Sequence, residues 1–454
     1  MFRLAWLALL CRATALAPPR GAATRGAPRG VARAAPSMSA APPLKAAILG
    51  GGLGGLTCAI ALRKVGVDAT VYERARALTP QAGTGLTLWP NGLSALGAID
   101  AEIPGLAAAR GCASEEIEVT SVDGSTSLPN PTGDPKRFPA TYGHPMLNIQ
   151  WGSLQELLAS RLPDGCVRLG HEFKELELLD GGARAHFATA DGGSAVAEAD
   201  FVVGADGINS ALRGQLVGDG APRDAGRTIW RSILPPDVDA AALLPPRHCS
   251  MSAGEGKVGF VTDIGAKEGG ASQIYWSAFA TDAALEKSTV NRDDYDDVRE
   301  YLLAEFKDVH RVEACIAAAA PGDILERRVA DRAPLVDADT GAARIPWAGT
   351  ATLLGDAFHA MIPSLGQGAN SSFEGAHRLA SAIQRLLSGG EDGDATRDVE
   401  AALRAYEVDQ MERAHWIVEQ SSSQGRAVYK DTDEFVRNQQ KAQDQMWGIK
   451  FEPL

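Results

Sequence analysis

Three short segments hold residue types at spacings that can do chemistry. The first is Gly50-Gly51-Gly52-Leu53-Gly54-Gly55, which sets Gly50, Gly52 and Gly55 in a G-x-G-x-x-G pattern. Glycines at those positions let a backbone approach a pyrophosphate, and a helix opening there adds free N–H groups and a positive dipole end. Glu73, closing the next strand candidate, is placed to accept from a ribose hydroxyl. On these residues alone the ligand is FAD or NAD. The second segment is Val203-Gly204-Ala205-Asp206-Gly207. It puts a carboxylate on a tight strand-to-helix turn, where Asp can equally be a plain helix cap. The third runs Leu353-Leu354-Gly355-Asp356-Ala357-Phe358-His359, then Pro363, then Gly366-Gln367-Gly368-Ala369-Asn370. Asp356 is suited to accept from ribityl hydroxyls. The helix opening near Gly368 aims its positive end at whatever the loop holds, which would stabilise an anionic reduced flavin.

The elements that must position these residues are legible as periodicity. Lys45–Leu49 is a short apolar run ending in glycines, Leu53–Val65 is apolar at helical spacing, and Val67–Tyr72 is a second strand, together one β-α-β unit. Helices are expected at Leu154–Leu162, Tyr295–Glu305, Gly368–Leu387 and Asp398–Ser423. Buried strands are expected at Phe201–Gly204 and Thr352–Leu354. Phe173–Leu179, Ala183–Ala190 and Ala195–Ala199 alternate as a small antiparallel meander does. Lys257–Thr262 and Gln273–Ala280 read as further strands, Gly124–Pro145 as loops and short strands, and Ser388–Thr396 as a linker.

Composition narrows the function. The chain has 454 residues and a net charge of −13, with 45% hydrophobic and 22% charged residues. That is a globular chain of two or three folding units, and its acidity disfavours nucleic acid as a partner. No apolar run is long enough to span a bilayer, so any membrane contact is expected at its surface. Residues 1–44 differ from the rest. They hold six Arg and no Lys, Asp or Glu. Leu4–Cys11 is apolar and Ala13-Thr14-Ala15 resembles a signal cleavage site, while the following stretch is transit-like. Such a two-part leader predicts delivery to a plastid, with a single mitochondrial or chloroplast presequence as the alternative. Beyond Cys11, Cys58, Cys112, Cys166, Cys249 and Cys315 are odd in number and widely spaced. This fits neither a disulfide framework nor a metal site.

Taken in order, the three segments resemble the FAD-dependent aromatic hydroxylases, the class A flavin monooxygenases that include salicylate-hydroxylase-like enzymes and zeaxanthin epoxidases. Gly83-Thr84-Gly85, Pro90-Asn91-Gly92, Asp331-Arg332-Ala333-Pro334, Trp347 and Arg404-Ala405-Tyr406-Glu407 extend the likeness over most of residues 45–425. The resemblance implies an α/β fold. A Rossmann-like FAD-binding domain with a parallel sheet is expected from 45–120, 148–215 and 331–390. A β-rich substrate-covering domain follows from 121–147 and 216–330, and a C-terminal helical segment from 391–454. It also implies roles. Gly50, Gly52 and Gly55 would cradle the FAD pyrophosphate, Glu73 the adenosine ribose and Asp356 the ribityl chain. Asp206 would serve both FAD and NAD(P)H. Pro363, Gly366, Gln367, Gly368, Ala369 and Asn370 would line the isoalloxazine where O2 reacts. NADPH or NADH would reduce the flavin transiently. A flavin hydroperoxide would then pass one oxygen atom to an aromatic ring or alkene of a small-molecule substrate.

Two departures stand out. The family often carries an arginine just before the helix near Leu154, where this chain has Gln150-Trp151. With the sequence ending at Leu454, the C-terminal phosphopeptide-binding domain of plant zeaxanthin epoxidases is not expected. Trp230, Arg231, Tyr275 and Trp276, with Met251 and Phe260, are candidates for the substrate wall, and Arg231 could pair a substrate carboxylate. His359 and His144 are acid–base candidates, and His377 is not. Competing readings on the same fold are a carotenoid or isoprenoid epoxidase, an FAD reductase and a non-catalytic flavoprotein. A halogenase is disfavoured because no W-x-W-x-I-P segment occurs.

Overall fold

Phe201–Gly204 is buried along its whole length and Lys45–Leu49 along all but its first residue, as parallel strands covered on both faces must be. They sit centrally in a five-stranded parallel sheet. Across the sheet the order is Ala351–Leu353, Phe201–Gly204, Lys45–Leu49, Asp68–Glu73 and Val167–Leu169. The pleat sends Ala46 and Ile48 to one face, under the helices Leu53–Lys64 and Gly368–Ser388. It sends Ala47 and Leu49 to the other, under an antiparallel meander of His171–Leu179, Gly182–Thr189 and Ser194–Ala199. Counted along the chain, the strand order reverses between the first and fourth strands, and ligands of open α/β sheets bind outside the carboxyl ends at such a reversal.

The structure is a computed structural model, and it describes residues 42–454 except 79–83, 131, 267–270, 286–290, 292, 321, 338, 341, 343, 390–397 and 425–440. Nearly all of the leader, Gly83 and most of the expected linker therefore lie outside the described residues. Among the described residues no helix is long and apolar enough to cross a membrane.

A six-stranded sheet stands beside the parallel one. Its order is Leu325–Asp331, Arg223–Ile233, Ser272–Thr281, Lys257–Ala266, His248–Gly254 and Glu116–Ser121, the last pair being parallel and the others antiparallel. It thus recruits a strand from before residue 121. Helices Tyr295–Glu305 and Val312–Ala318 cover one face with Leu302, Phe306, Val312, Cys315 and Ile316. Gly124–Pro145, expected as loops and short strands, instead holds the short helices Pro135–Arg137 and Phe138–Tyr142, with Asp134 capping the first through Lys136 N–H. A fourth sheet, the second of three strands, joins Gly85–Leu88, Leu147–Gln150 and Cys112–Ala113.

The helix Val399–Gln424 covers the outermost parallel strand. Arg404 donates to the Ala351 carbonyl at 3.1 Å, and the Tyr406 hydroxyl donates to the Leu353 carbonyl at 2.9 Å. The exposed edge carbonyls of a terminal strand are answered in this way. Cys58, Cys112, Cys166, Cys249 and Cys315 are all buried free thiols.

Candidate functional site

The three sequence segments, some 150 residues apart from one to the next, meet at the carboxyl ends of the parallel strands. Gly50 has a positive φ of 110°, and a Cβ there would overlap the Ala205 carbonyl and lie 3.1 Å from Asp206 Cα. A Cβ on Gly55 would overlap the Gly50 carbonyl oxygen. A Cβ on Gly54 would lie 3.1 Å from Leu354 and 3.3 Å from Ser372, and one on Gly368 would lie 3.7 Å from Asp356 Oδ1. Gly52 is different, because a Cβ there meets no protein atom within 4 Å. The middle glycine therefore borders open space at the start of the Leu53–Lys64 helix, with no side chain capping the first N–H groups.

Neighbouring side chains hold this loop. Glu73 Oε2 accepts from Gly51 N–H at 2.6 Å and its Oε1 from Ala75 N–H at 2.8 Å. Gln155, on the helix Trp151–Ser160, donates to the Gly51 carbonyl at 2.8 Å. Trp151 itself packs against the main core, and Gln150 Oε1 accepts from the Ser153 hydroxyl. The element that lacks the family's arginine thus supports the loop through Gln155 one turn later.

Asp206 is a helix cap that keeps one oxygen to spare. Its Oδ2 accepts from Ala211 N–H at 2.8 Å, while Oδ1 is buried without a protein partner. Burial pushes the carboxyl above the ordinary carboxylate range, against the pull of its hydrogen bonds. Two buried arginines fix the turn. Asp219 bridges Arg213 at 2.6 Å and Arg332 at 3.2 Å. Arg213 also donates to the carbonyls of Ala357 and Phe358, and Arg332 to that of Ile208. One ionic cluster therefore ties the Asp206 turn to the Asp356 turn. Asp356 opens a four-residue helix after Gly355, whose φ is +61°. Water reaches the carboxylate, yet surrounding protein pushes its pKa up while Arg327 opposes.

Beyond Asp356 the chain passes through the turn Pro363–Leu365 and Gly366, with φ +60°, into the 21-residue helix Gly368–Ser388. The N–H groups of Gly368, Ala369 and Asn370 open that helix without partners inside it. Asn370's side chain is committed elsewhere. Its Oδ1 accepts from Trp89 N–H at 3.0 Å, and its Nδ2 donates to the carbonyls of Thr87 and Gly366. What Asn370 can offer a ligand is its backbone. Gln367 is buried, accepts from Asn91 at 2.9 Å, and keeps its Nε2 without an acceptor. Asn91 also donates to the fully buried Glu374 at 2.6 Å, and Arg413 grips Glu374 with 3.0 and 3.1 Å contacts. His359 is neutral, because burial lowers its pKa to about 4, and its Nε2 accepts from Gln410 at 3.1 Å. Burial lowers His144 too, and His377 holds the Glu452 carbonyl.

The substrate-wall candidates divide by strand pleat. Trp230 and Trp276 face the helices, inside the core with Phe306, and Trp230 donates to Glu326 at 3.1 Å. That corrects their reading as wall residues, since alternation turns them away from the cofactor side. Arg231 and Tyr275 take the opposite face, with Phe260 and Met251. The Tyr275 ring lies against Gly85, 2.6 Å from where a Cβ would stand. Burial lowers the Arg231 pKa, Tyr275 and Arg327 act on it electrostatically, and its Nε has no acceptor.

Sequence reasoning missed Gln155, Trp89, Glu374, Arg413 and the segment after residue 440. Their signal is weak because each acts through tertiary contacts. Trp89 stacks on Trp447 with centroids 4.7 Å apart and a 9° interplanar angle, in a cluster with Phe138, Met146, Cys249 and Met446.

These residues fit FAD. Gly52 leaves room for a diphosphate at a helix N-terminus, Asp206 Oδ1 awaits a donor, and a second helix N-terminus faces the loop after Pro363. Residues 44–421 match the family model described as FAD binding domain. Aurachin C monooxygenase/isomerase of Stigmatella aurantiaca is 32% identical over 81% of this chain and 85% of its own length. 3-Amino-4-hydroxybenzoate 2-monooxygenase of Streptomyces cremeus is 29% identical over 89% of this chain and 94% of its own. Among solved structures, Klebsiella pneumoniae HpxO complexed with FAD and uric acid superimposes with a TM-score of 0.69 at 23% identity. That alignment covers 89% of this chain and 92% of HpxO.

Proposed function

This chain belongs to the FAD-binding-domain family and is an FAD-dependent monooxygenase, and we propose that it hydroxylates a small aromatic ring with NAD(P)H and O2. The observation that carries the reading is the meeting of Gly50–Gly55, Asp206 and Asp356 with the Gly368 helix at one end of one parallel sheet. A plain dehydrogenase needs the first of these and not the last.

Each residue has a task. Gly50 and Gly55 bring the loop close to the sheet, and Gly52 leaves space for the diphosphate. Glu73 orients the loop and stands ready for a ribose. Asp206 and Asp356 offer carboxylate oxygens along the groove. The N–H groups of Gly368, Ala369 and Asn370 place positive potential beside the loop of Pro363 and Gly366, where negative charge on the ring system is stabilised. Arg231 and Tyr275 close the site from the six-stranded sheet. FAD, once reduced by NAD(P)H, supplies the O2 activation that lets one oxygen atom enter the ring while the other leaves as water.

The test is an anaerobic visible spectrum of the purified chain before and after NADPH. Flavin bands that bleach, and bleach faster with a phenolic substrate, support the reading. A yellow protein that never bleaches with NADPH or NADH sinks it.

For the cellular site, the basic leader of residues 1–44 supports delivery to a plastid. A fluorescent protein carrying residues 1–44 should collect there when expressed in an alga with secondary plastids. Collection in mitochondria would overturn this part.

A further inference from the structure

Three hydrogen-bond donors are buried beside the Gly366 turn with no acceptor among the described residues: Trp89 Nε1, Trp447 Nε1 and Gln367 Nε2. Trp89 is 9% exposed, Trp447 4% and Gln367 1%. The Trp89 N–H edge faces the turn, 3.0 Å from where a Cβ on Gly366 would stand. Leaving such a donor unanswered costs about 1–3 kcal/mol, so three in one neighbourhood call for a reason.

The neighbourhood is the seam between the Gly366 turn and the cofactor-side face of the six-stranded sheet. Leu365 comes from the turn, while Cys249 and Phe260 come from the sheet, and all three pack in the same aromatic cluster as Trp89 and Trp447. Trp447 is held there firmly. Arg413 donates to the carbonyls of Gln445 and Met446, at 3.1 and 2.7 Å, and Asp444 accepts from the Tyr142 hydroxyl at 2.7 Å. The same Arg413 grips Glu374, which holds Asn91, which holds Gln367. One polar network therefore positions both the residues flanking Trp447 and the side chain of the cofactor loop.

We propose that Trp89, Trp447 and Gln367 form an oxygen-acceptor subsite of the substrate pocket, so that the C-terminal segment helps select the substrate. This rests on the monooxygenase reading above. Indole N–H groups donate and never accept. The ligand class is therefore a flat, largely apolar ring system carrying a phenolate, hydroxyl or ring-carbonyl oxygen. A polyene without oxygen leaves every donor unanswered.

The test is calorimetric titration of FAD-loaded full chain with 2-naphthol and with naphthalene, comparing wild type with Trp89→Phe and Trp447→Phe. Phenylalanine keeps an aromatic ring and deletes the N–H. Each variant should bind 2-naphthol about fivefold or more weakly while naphthalene affinity stays within about twofold. A merely structural role predicts equal loss for both probes. Equal loss, no loss, or no binding of 2-naphthol to wild type overturns the subsite. If one variant fails to fold, the other decides. Failure of NADPH to bleach the flavin, with the naphthol discrimination intact, refutes the enzyme reading and leaves the subsite standing.

Discussion

Alanine at Gly52 and at Gly55 should have opposite consequences, although the residues are three apart on one loop. Gly52 has φ −72° and ψ 178°, which alanine adopts without strain. Its Cβ would touch nothing within 4 Å. Restricting the unfolded chain should then stabilise the FAD-free protein by about 0.4–1 kcal/mol. The new methyl group would fill the space assigned to the diphosphate. Losing one hydrogen bond to a charged phosphate costs about 1.5–3 kcal/mol, or roughly a tenfold to hundredfold weaker affinity for FAD. At Gly55 the Cβ would overlap the Gly50 carbonyl oxygen, a backbone atom that cannot swing aside. Overpacking of this kind costs about 1–3 kcal/mol or more, so the FAD-free protein itself should lose stability. Thermal unfolding of both FAD-stripped variants, followed by titration with FAD against flavin fluorescence, separates the two effects. If Gly52→Ala binds FAD within about twofold of wild type, the space above Gly52 is not the diphosphate's. If it lowers the FAD-free Tm as far as Gly55→Ala does, the clash argument fails.

Two further outcomes follow from the interior. Arg413→Met leaves Glu374 buried without its cation and should cost about 3–5 kcal/mol in urea unfolding. The double variant Glu374→Leu with Arg413→Met should cost clearly less, and equal losses would refute the buried-charge account. His359 is held neutral when folded, with a pKa of about 4 against 6.5 when free. As pH falls below about 6.5 the unfolded chain takes up this proton first, so stability is lost between about pH 6.5 and 4 and no further below. The full span amounts to about 3 kcal/mol. His359→Gln should flatten that part of the stability–pH curve, and an unchanged slope would show that other groups set it.

What could be read from the sequence was local. Gly50–Gly55 declares its turn because only glycine tolerates the backbone closeness at Gly50 and Gly55, and four of the five parallel strands announce themselves as short apolar runs, while the edge strand Val167–Leu169, with Arg168 in its middle, does not. The strand Lys45–Leu49 and the helix Tyr295–Glu305 end where periodicity places them. Periodicity also places residue 276 on a strand, but it does not mark the strand Arg223–Ile233 that carries residue 230, nor say which face meets the cofactor. Both faces of the six-stranded sheet are apolar, one under helices and one against the FAD-binding part, so alternation alone leaves the choice open. Trp230 and Trp276 were misplaced for that reason. Gln155, Glu374 and Arg413 are ordinary polar residues on helices, and their part in the site arises only when Gly51 is brought beside the first and Asn91 and Gln367 beside the other two. Trp447 is harder still. Its partner Trp89 lies more than 350 residues away, joined to it by no periodic pattern.

The central position of Lys45–Leu49 has a consequence for synthesis. Its partner on one side, Asp68–Glu73, is made almost at once, but Phe201–Gly204 on the other emerges roughly 150 residues later. At ribosomal speeds of about 5–20 residues per second, one long flank of an apolar strand waits on the order of 8–30 s for its neighbour. The outer strand Ala351–Leu353, and the Arg404 and Tyr406 side chains that seal it, arrive later again. A nascent chain thus carries an open sheet edge for most of its elongation.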